Sequence, residues 1–217
     1  MCKLNAKSEK DEIARVFKQI AEIIETNLVI NDNDVKYRII DFEFYFYNQY
    51  HQDISVHPRK SEALCWYIND FGGIDLNFKS EISISKSNPF KYKLNGNSYF
   101  GGILIRQIQR LYSDDKFVFD GPLKVATLFR FLDATSRMQN NPILEIQELD
   151  KADFNSEKRH NLLGSHKDNP KAKAEYNVKE CFANISEIDI EDLGEKLRTF
   201  NEAEYRYRYR CPSLAKK

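Results

Sequence analysis

Along residues 9–27, Ile13, Val16, Phe17, Ile20, Ile23 and Ile24 recur at steps of three and four, which predicts an amphipathic helix. Ser8 stands at the N-cap position, with Asp11 three residues on. The period then changes. From Tyr37 to Tyr50 the chain is dense in aromatic and β-branched residues, as strands are. Two-residue periodicity places Asp41, Glu43 and Tyr45 on one face of this strand. Phe42, Phe44 and Phe46 take the other face, which suits a core. A polar loop with His51, His57 and Pro58 follows. Residues 64–70 and 73–79 predict two strands joined by a Gly72-Gly73 turn. Residues 80–97 are polar and turn-rich and predict an exposed hairpin or loop. Tyr99 to Leu111 predicts another strand, carrying Arg106 and Arg110.

Gly121-Pro122 opens a second helix, with Val125, Leu128, Phe129 and Leu132 as its apolar face. Residues 143–149 are short and apolar, in the manner of a strand. Residues 150–180 are polar, contain Gly164 and Pro170, and predict a surface excursion. A third helix is expected over 187–199 on Ile190, Leu193 and Leu197. Tyr205 to Arg210 alternates Tyr and Arg, one face aromatic and one cationic. No repeat or linker divides the chain. The expectation is one domain over 1–217, opening with a helical segment over 1–36. Its class is α+β, a curved and mostly antiparallel sheet flanked by helices.

Composition narrows the class. The chain has 217 residues, 41% hydrophobic and 13% aromatic, enough for a sizeable core. Lys+Arg and Asp+Glu are 33 each, so a polycation and an acidic disordered tail are both excluded. A local basic patch is not. The longest apolar runs, such as residues 102–105, fall far short of the ~20 residues that span a bilayer. No apolar signal core follows Met1, so the expected location is cytoplasmic, or nuclear in a eukaryotic source, and not secreted. Cys2, Cys65, Cys181 and Cys211 are scattered, without a CxxC pair, and read as free thiols. No metal is expected: His51 and His57 lack partners at ligand spacing.

Four stretches carry candidate chemistry. Asp41 and Glu43 interrupt an aromatic strand; they lie either on the solvent face of an edge strand or in a buried site that supplies cationic partners. Arg106 is either a surface residue at a strand end or a partner for a carboxylate or phosphate. Gly121-Pro122-Leu123-Lys124 is either an ordinary helix start with a solvated Lys or an anion-binding N-terminus. Arg206, Arg208 and Arg210 would form a phosphate platform on one face of the last strand, while its aromatic face enters the core.

In order, these pieces resemble the alkyladenine (3-methyladenine) DNA glycosylases of the mammalian type. Arg38-Ile39-Ile40-Asp41-Phe42-Glu43-Phe44-Tyr45 resembles the family's strand R-I-V-E-T-E-A-Y. His57-Pro58-Arg59 lies near the place of its A-H-S-R segment. Residues 67–77 resemble its Y-V-Y hairpin, Gly102 to Arg106 its A-V-L-I-R-A strand, and Gly121 to Leu128 its G-P-G-K helix start. The resemblance covers residues 37–132.

It implies an alkyladenine-glycosylase-like fold and a monofunctional DNA glycosylase acting on double-stranded DNA with the target nucleotide flipped. Such an enzyme leaves an abasic site; a monomer is the simplest expectation, and no cofactor is expected. By the resemblance, Glu43 activates water and Arg106 helps hold phosphate and water beside it. Tyr45, His57, Tyr67 and Asn77 line the base pocket. Phe71 fills the gap in the duplex and Lys124 approaches the backbone. No Lys occupies the Glu43 position, so no Schiff base is expected.

The sequence departs from the family at Ile68, where a second stacking Tyr would fall unless Tyr67 serves, and at Asp75, an added charge on a largely apolar strand. Residues 80–97 and 150–180 are also unlike it. Such changes point to a different base, and one hypothesis is a bulky modified base of the kind some phages carry, with the protein acting in defence. The alternatives are a non-catalytic DNA-binding module of the same fold and, further off, a nucleoside hydrolase or nuclease.

Overall fold

The computed structural model describes residues 4–68, 73–113, 117–129, 142–150, 154–159, 181–183, 199–200 and 203–209. The chain begins with α1 (Lys10–Asn27) and continues through β1 (Leu28–Asp32), β2 (Val35–Asn48) and β3 (His51–Gln52). Next come β4 (Trp66–Ile68), β5 (Ile74–Asn77), β6 (Ser83–Ile84), β7 (Tyr92–Lys93) and β8 (Phe100–Arg110). The remainder is β9 (Val118–Asp120), α2 (Pro122–Leu128), β10 (Ile143–Ile146), β11 (Phe154–Glu157) and β12 (Arg206–Tyr209).

A curled antiparallel sheet in the order β10-β1-β2-β8-β5-β4 organises the described residues, which makes the class α+β as expected. β2 is its central strand. One edge of β2 pairs β8 from Tyr37 to Tyr47. The other edge is shared in turn by β1, β12 and β3. Asp41 and Glu43 therefore do not lie on an edge strand, and both are fully buried. The β2–β8 register slips between Ile39 and Phe42, which leaves Ile40 and Arg106 without directly opposed partners. Such irregularities sharpen strand twist and redirect side chains, here beside the buried carboxylates.

The apolar face of the sheet behaves as the alternation predicts. Phe42, Phe44 and Phe46 meet Ile74, Leu76, Ile103 and Ile105 in the main core. α1 covers this face with Ile13, Val16, Phe17, Ala21 and Ile24. Phe17 stacks on Phe44 with ring centroids 4.5 Å apart. Ile23, expected inside, is exposed; Ala21, two residues earlier, turns inward. The N-cap is Glu9, without a side-chain cap bond. Ser8 is held in the preceding turn, where its Oγ accepts the Asn5 N–H at 3.2 Å and its carbonyl accepts the Asn48 amide at 2.7 Å.

β1 departs from the helical segment expected over 1–36, which is therefore not wholly helical. Asn33 and Asp34 both have positive φ, 50° and 68°, in a two-residue turn between β1 and β2. Right-handed strand twist favours that turn, and Asn and Asp tolerate its geometry. The 80–97 stretch forms the small β6–β7 hairpin, seated by buried Ile82 and Leu94 on a second core with Tyr45, Val56 and Leu104. Within 150–180, residues 154–159 depart from a surface excursion: β11 pairs β12, and Arg159 is buried. Phe71, Leu132, Arg210 and nearly all of the helix expected over 187–199 lie outside the described residues.

Candidate active site

Register carries one row of side chains across five strands on the polar face. Arg206 on β12 opposes Glu43 on β2; Glu43 opposes Leu104 on β8; Leu104 opposes Asp75 on β5; Asp75 opposes Tyr67 on β4. The next row runs Tyr45, Gly102, Asn77. Six residues singled out from the sequence, or flagged there as departures, thus share one surface of the sheet, joined by Arg106 two residues along from Leu104.

Around the carboxylates the arrangement is ionic. The Tyr45 hydroxyl donates to Glu43 Oε2 at 2.7 Å. Arg106 Nη1 approaches the same oxygen at 3.4 Å, and Arg206 Nε lies 3.8 Å from Oε1. Arg206 closes its fork on Asp41, Nε donating to Oδ1 at 2.9 Å and Nη2 to Oδ2 at 2.5 Å. Burial pushes the Asp41 carboxyl up, against the opposing pull of Arg206. Burial, with the neighbouring Glu43 charge, holds the Tyr45 phenol far above its usual range, so it remains a donor. Arg206 is raised by its bond to Asp41.

Behind Tyr45 stands a second ion pair. Arg159 Nη1 donates to Asp53 Oδ2 at 2.8 Å, with both side chains fully buried. The guanidinium lies over the Tyr45 ring, 4.5 Å from its centroid, a cation–π contact that fixes the plane of the phenol. Burial alone would lower Arg159, but Asp53, Tyr45 and Glu43 together hold it raised. Arg159 also binds the Phe200 carbonyl at 2.8 Å, tying β11's exit to the segment before β12.

In front of Tyr45 and Arg106 lies a cleft of 240 Å³ lined also by His57, Arg59, Asp75, Leu104, Pro122 and Leu123 among others. It is smaller than the ~300 Å³ at which drug-sized ligand sites begin, which suits a single ring system. Glu43 does not itself line the cleft. The two groups bonded to it do, so the carboxylate sits one side chain behind the cleft floor. Arg59 and Asp75 form a buried ion pair in the wall, Nη2 to Oδ2 at 2.8 Å, and Tyr67 lies 4.3 Å from the Arg59 guanidinium. Asp75, unexpected on an apolar strand, is thereby matched.

Two glycines make room for this packing. A Cβ at Gly101 would come 2.9 Å from the Phe46 Cα and closer still to the Tyr45 carbonyl. A Cβ at Gly102 would meet the Arg59 guanidinium and, at 2.8 Å, the Leu76 carbonyl.

Of the expected site residues, Arg106, Tyr45 and His57 line the cleft, Glu43 lies behind Tyr45 and Arg106, and Tyr67 stands behind the Arg59 wall. Asn77 lies on the same face of the sheet but does not line the cleft, and its amide donates to Ser61 Oγ at 2.7 Å. Lys124 is exposed on α2, whose first residues line the cleft. Arg206 is not an open phosphate contact, because Asp41 occupies its fork; Arg208 is the more exposed residue, 3.9 Å from Asp41. Phe71 and Arg210 are not among the described residues. The sequence does not point to Asp53 or Arg159, since nothing local in polar sequence marks a buried pair 106 residues apart. Arg59 had a weak signal, its place beside His57. Compared with family models, curated proteins and solved structures, the chain matches none.

Proposed function

We propose that this protein is a monofunctional DNA glycosylase that takes a flipped nucleotide into the cleft and hydrolyses its N-glycosidic bond. The observation carrying this reading is Glu43: a fully buried carboxylate, bonded by Tyr45 and Arg106, directly behind a ring-sized cleft. The ordered motif resemblance supplies the class of reaction. Extruding the target from the stack costs a few kcal/mol, and a pocket walled by Tyr45, His57, Val56 and Leu104 offers apolar and aromatic surface in return.

In the reaction, Arg106 turns from its long contact with Glu43 towards the phosphate beside the target sugar. Water enters the space it leaves. The C1′–N bond breaks and the base departs with the bonding pair. The oxocarbenium-like sugar is stabilised by the carboxylate beneath it, as in glycoside hydrolysis. The water oxygen bonds C1′ and Glu43 accepts its proton, leaving an abasic site.

Full burial of Glu43 favours a second reading, a DNA-binding module of the same fold without catalysis. Incubation with DNA carrying modified or alkylated bases, then alkali, separates the two. Strand breaks at the modified base support the glycosylase; binding without breaks on any of these DNAs supports the module. Mass spectrometry of released bases, from modified phage DNA beside alkylated host DNA, identifies the substrate.

A further inference from the structure

The β6–β7 hairpin presents a feature that the cleft does not use. Phe90 at its tip is 89% exposed, the most exposed large hydrophobic side chain described. The tip that displays it is built to hold its shape. The Ser85 N–H donates to the Lys91 carbonyl at 2.8 Å, and the Lys91 N–H to the Asn88 carbonyl at 3.0 Å. Asn88 Oδ1 accepts the Phe90 N–H at 2.9 Å, and Pro89 restricts the backbone between them. Residues 82–98 contain three lysines and no Asp or Glu. Lys86 and Lys93 are exposed. At the other end, Ile82 and Leu94 anchor the hairpin in the core that includes Tyr45, Val56 and Leu104, three of the residues lining the cleft.

We propose that this hairpin is a nucleic-acid-binding element in which Phe90 stacks on a base or wedges into a base step while Lys86 and Lys93 contact the flanking phosphates. An exposed aromatic ring on a preorganised, purely cationic tip matches a polyanion whose interior is π-stacked. The exposed Ser87 hydroxyl and the half-buried Asn88 amide beside it suit phosphate oxygens. A bilayer is less well matched, because Phe90 and Ile84 form no broad apolar face and the tip between them is polar. For the polymer's identity the inference rests on the glycosylase reading, and it adds a contact that reading does not supply.

The test uses the full chain and a fluorescently labelled duplex of about 20 base pairs containing one abasic site, with 2-aminopurine beside it. Binding is followed by anisotropy across a salt series. Phe90→Ala is expected to weaken binding about tenfold, within the range for loss of one base–aromatic stack, and to reduce the 2-aminopurine fluorescence change. Lys86→Ala/Lys93→Ala is expected to flatten the slope of log K against log salt by about 1.8, for two lost phosphate contacts. Both variants should melt at the parent temperature, since all three side chains are exposed.

If the parent binds this duplex and the variants bind it equally well with the same salt slope, the inference fails while base release remains to be judged on its own assay. If the variants lose binding but the parent releases no base from any DNA, the inference holds and the catalytic reading fails. Binding to phosphatidylserine vesicles that depends on Phe90, with no DNA binding by the parent, overturns the inference in favour of a membrane surface.

Discussion

Asp41, Glu43, Asp53 and Asp75 are carboxylates inside the protein, and each is met by an arginine: Arg206, Arg106, Arg159 and Arg59 in turn. A lone buried charge is costly, whereas one partner lost from a buried pair destabilises by about 3–5 kcal/mol because the other is left uncompensated. Asp41→Leu is therefore expected to lower stability by that order in denaturant unfolding, and adding Arg206→Leu should restore much of it. A double-variant loss equal to the sum of the two single-variant losses would show that the two side chains act separately.

His51 shows a different solution. Its Nδ1 lies 2.7 Å from the Phe46 carbonyl and its Nε2 3.1 Å from the Tyr205 hydroxyl, a pattern satisfied by the neutral ring protonated at Nδ1. Burial pushes this imidazole below its usual range. An unfolded histidine takes up a proton near ~6.5, before the folded one does. Over that window the unfolded state binds more protons, so stability is complete above it and declines as the pH falls. Melting temperatures should drop between pH 7.5 and 5.5, and His51→Gln should flatten that slope. A slope unchanged by the substitution would assign it to other groups.

At the scale of elements, β2 and α1 decide the fold together. β2 has one face for the core and one for the site, and α1 seals the first by placing Phe17 on Phe44. Phe17→Ala is expected to cost about 3–5 kcal/mol, the usual range for deleting a buried aromatic ring. β8 must then lie close to β2 along its length, which Gly101 permits. Gly101→Ala would drive a methyl group into the Tyr45 carbonyl, strand backbone that cannot give way without breaking the ladder. That variant is expected to be insoluble or to melt well below the parent; a near-native melting curve would mean that β2 and β8 can separate locally.

Elements with a strong local period were legible in the sequence: α1, β2, β8, the start of α2 and the alternation of β12. β1 was not, because its five residues are too few to show a period, although the Asn33-Asp34 turn marked it. The His51–Arg59 loop reads as polar surface, yet His51, Asp53, Ile54, Val56 and Arg59 are buried. Its polar groups point inward because Tyr205, Arg159 and Asp75 wait for them, and long-range pairing leaves no trace in local composition.

Over the whole molecule, the sheet separates two environments. Aromatic packing under α1 supplies stability, and the opposite face collects four ion pairs and a cleft. No helix among the described residues is long and apolar enough to cross a membrane. Asp41 and Glu43 stood out together from the pattern, as acids in an aromatic strand, and only the motif resemblance chose Glu43 between them. Its partners on β8 and β12 required the register to be known. The Arg59–Asp75 pair, which lines the cleft, is legible in the sequence as an anomaly at Asp75 and, weakly, in the His57-Pro58-Arg59 segment.

The most direct test of the proposed chemistry compares the parent with Glu43→Gln on one DNA from which the parent releases a base. The substitution keeps the shape of the side chain and removes its capacity to take a proton from water. Release should fall by about 10²–10⁴-fold, the usual contribution of a general base, with DNA affinity preserved within a few-fold. Undiminished release by Glu43→Gln, with the variant folded and bound, would contradict the account.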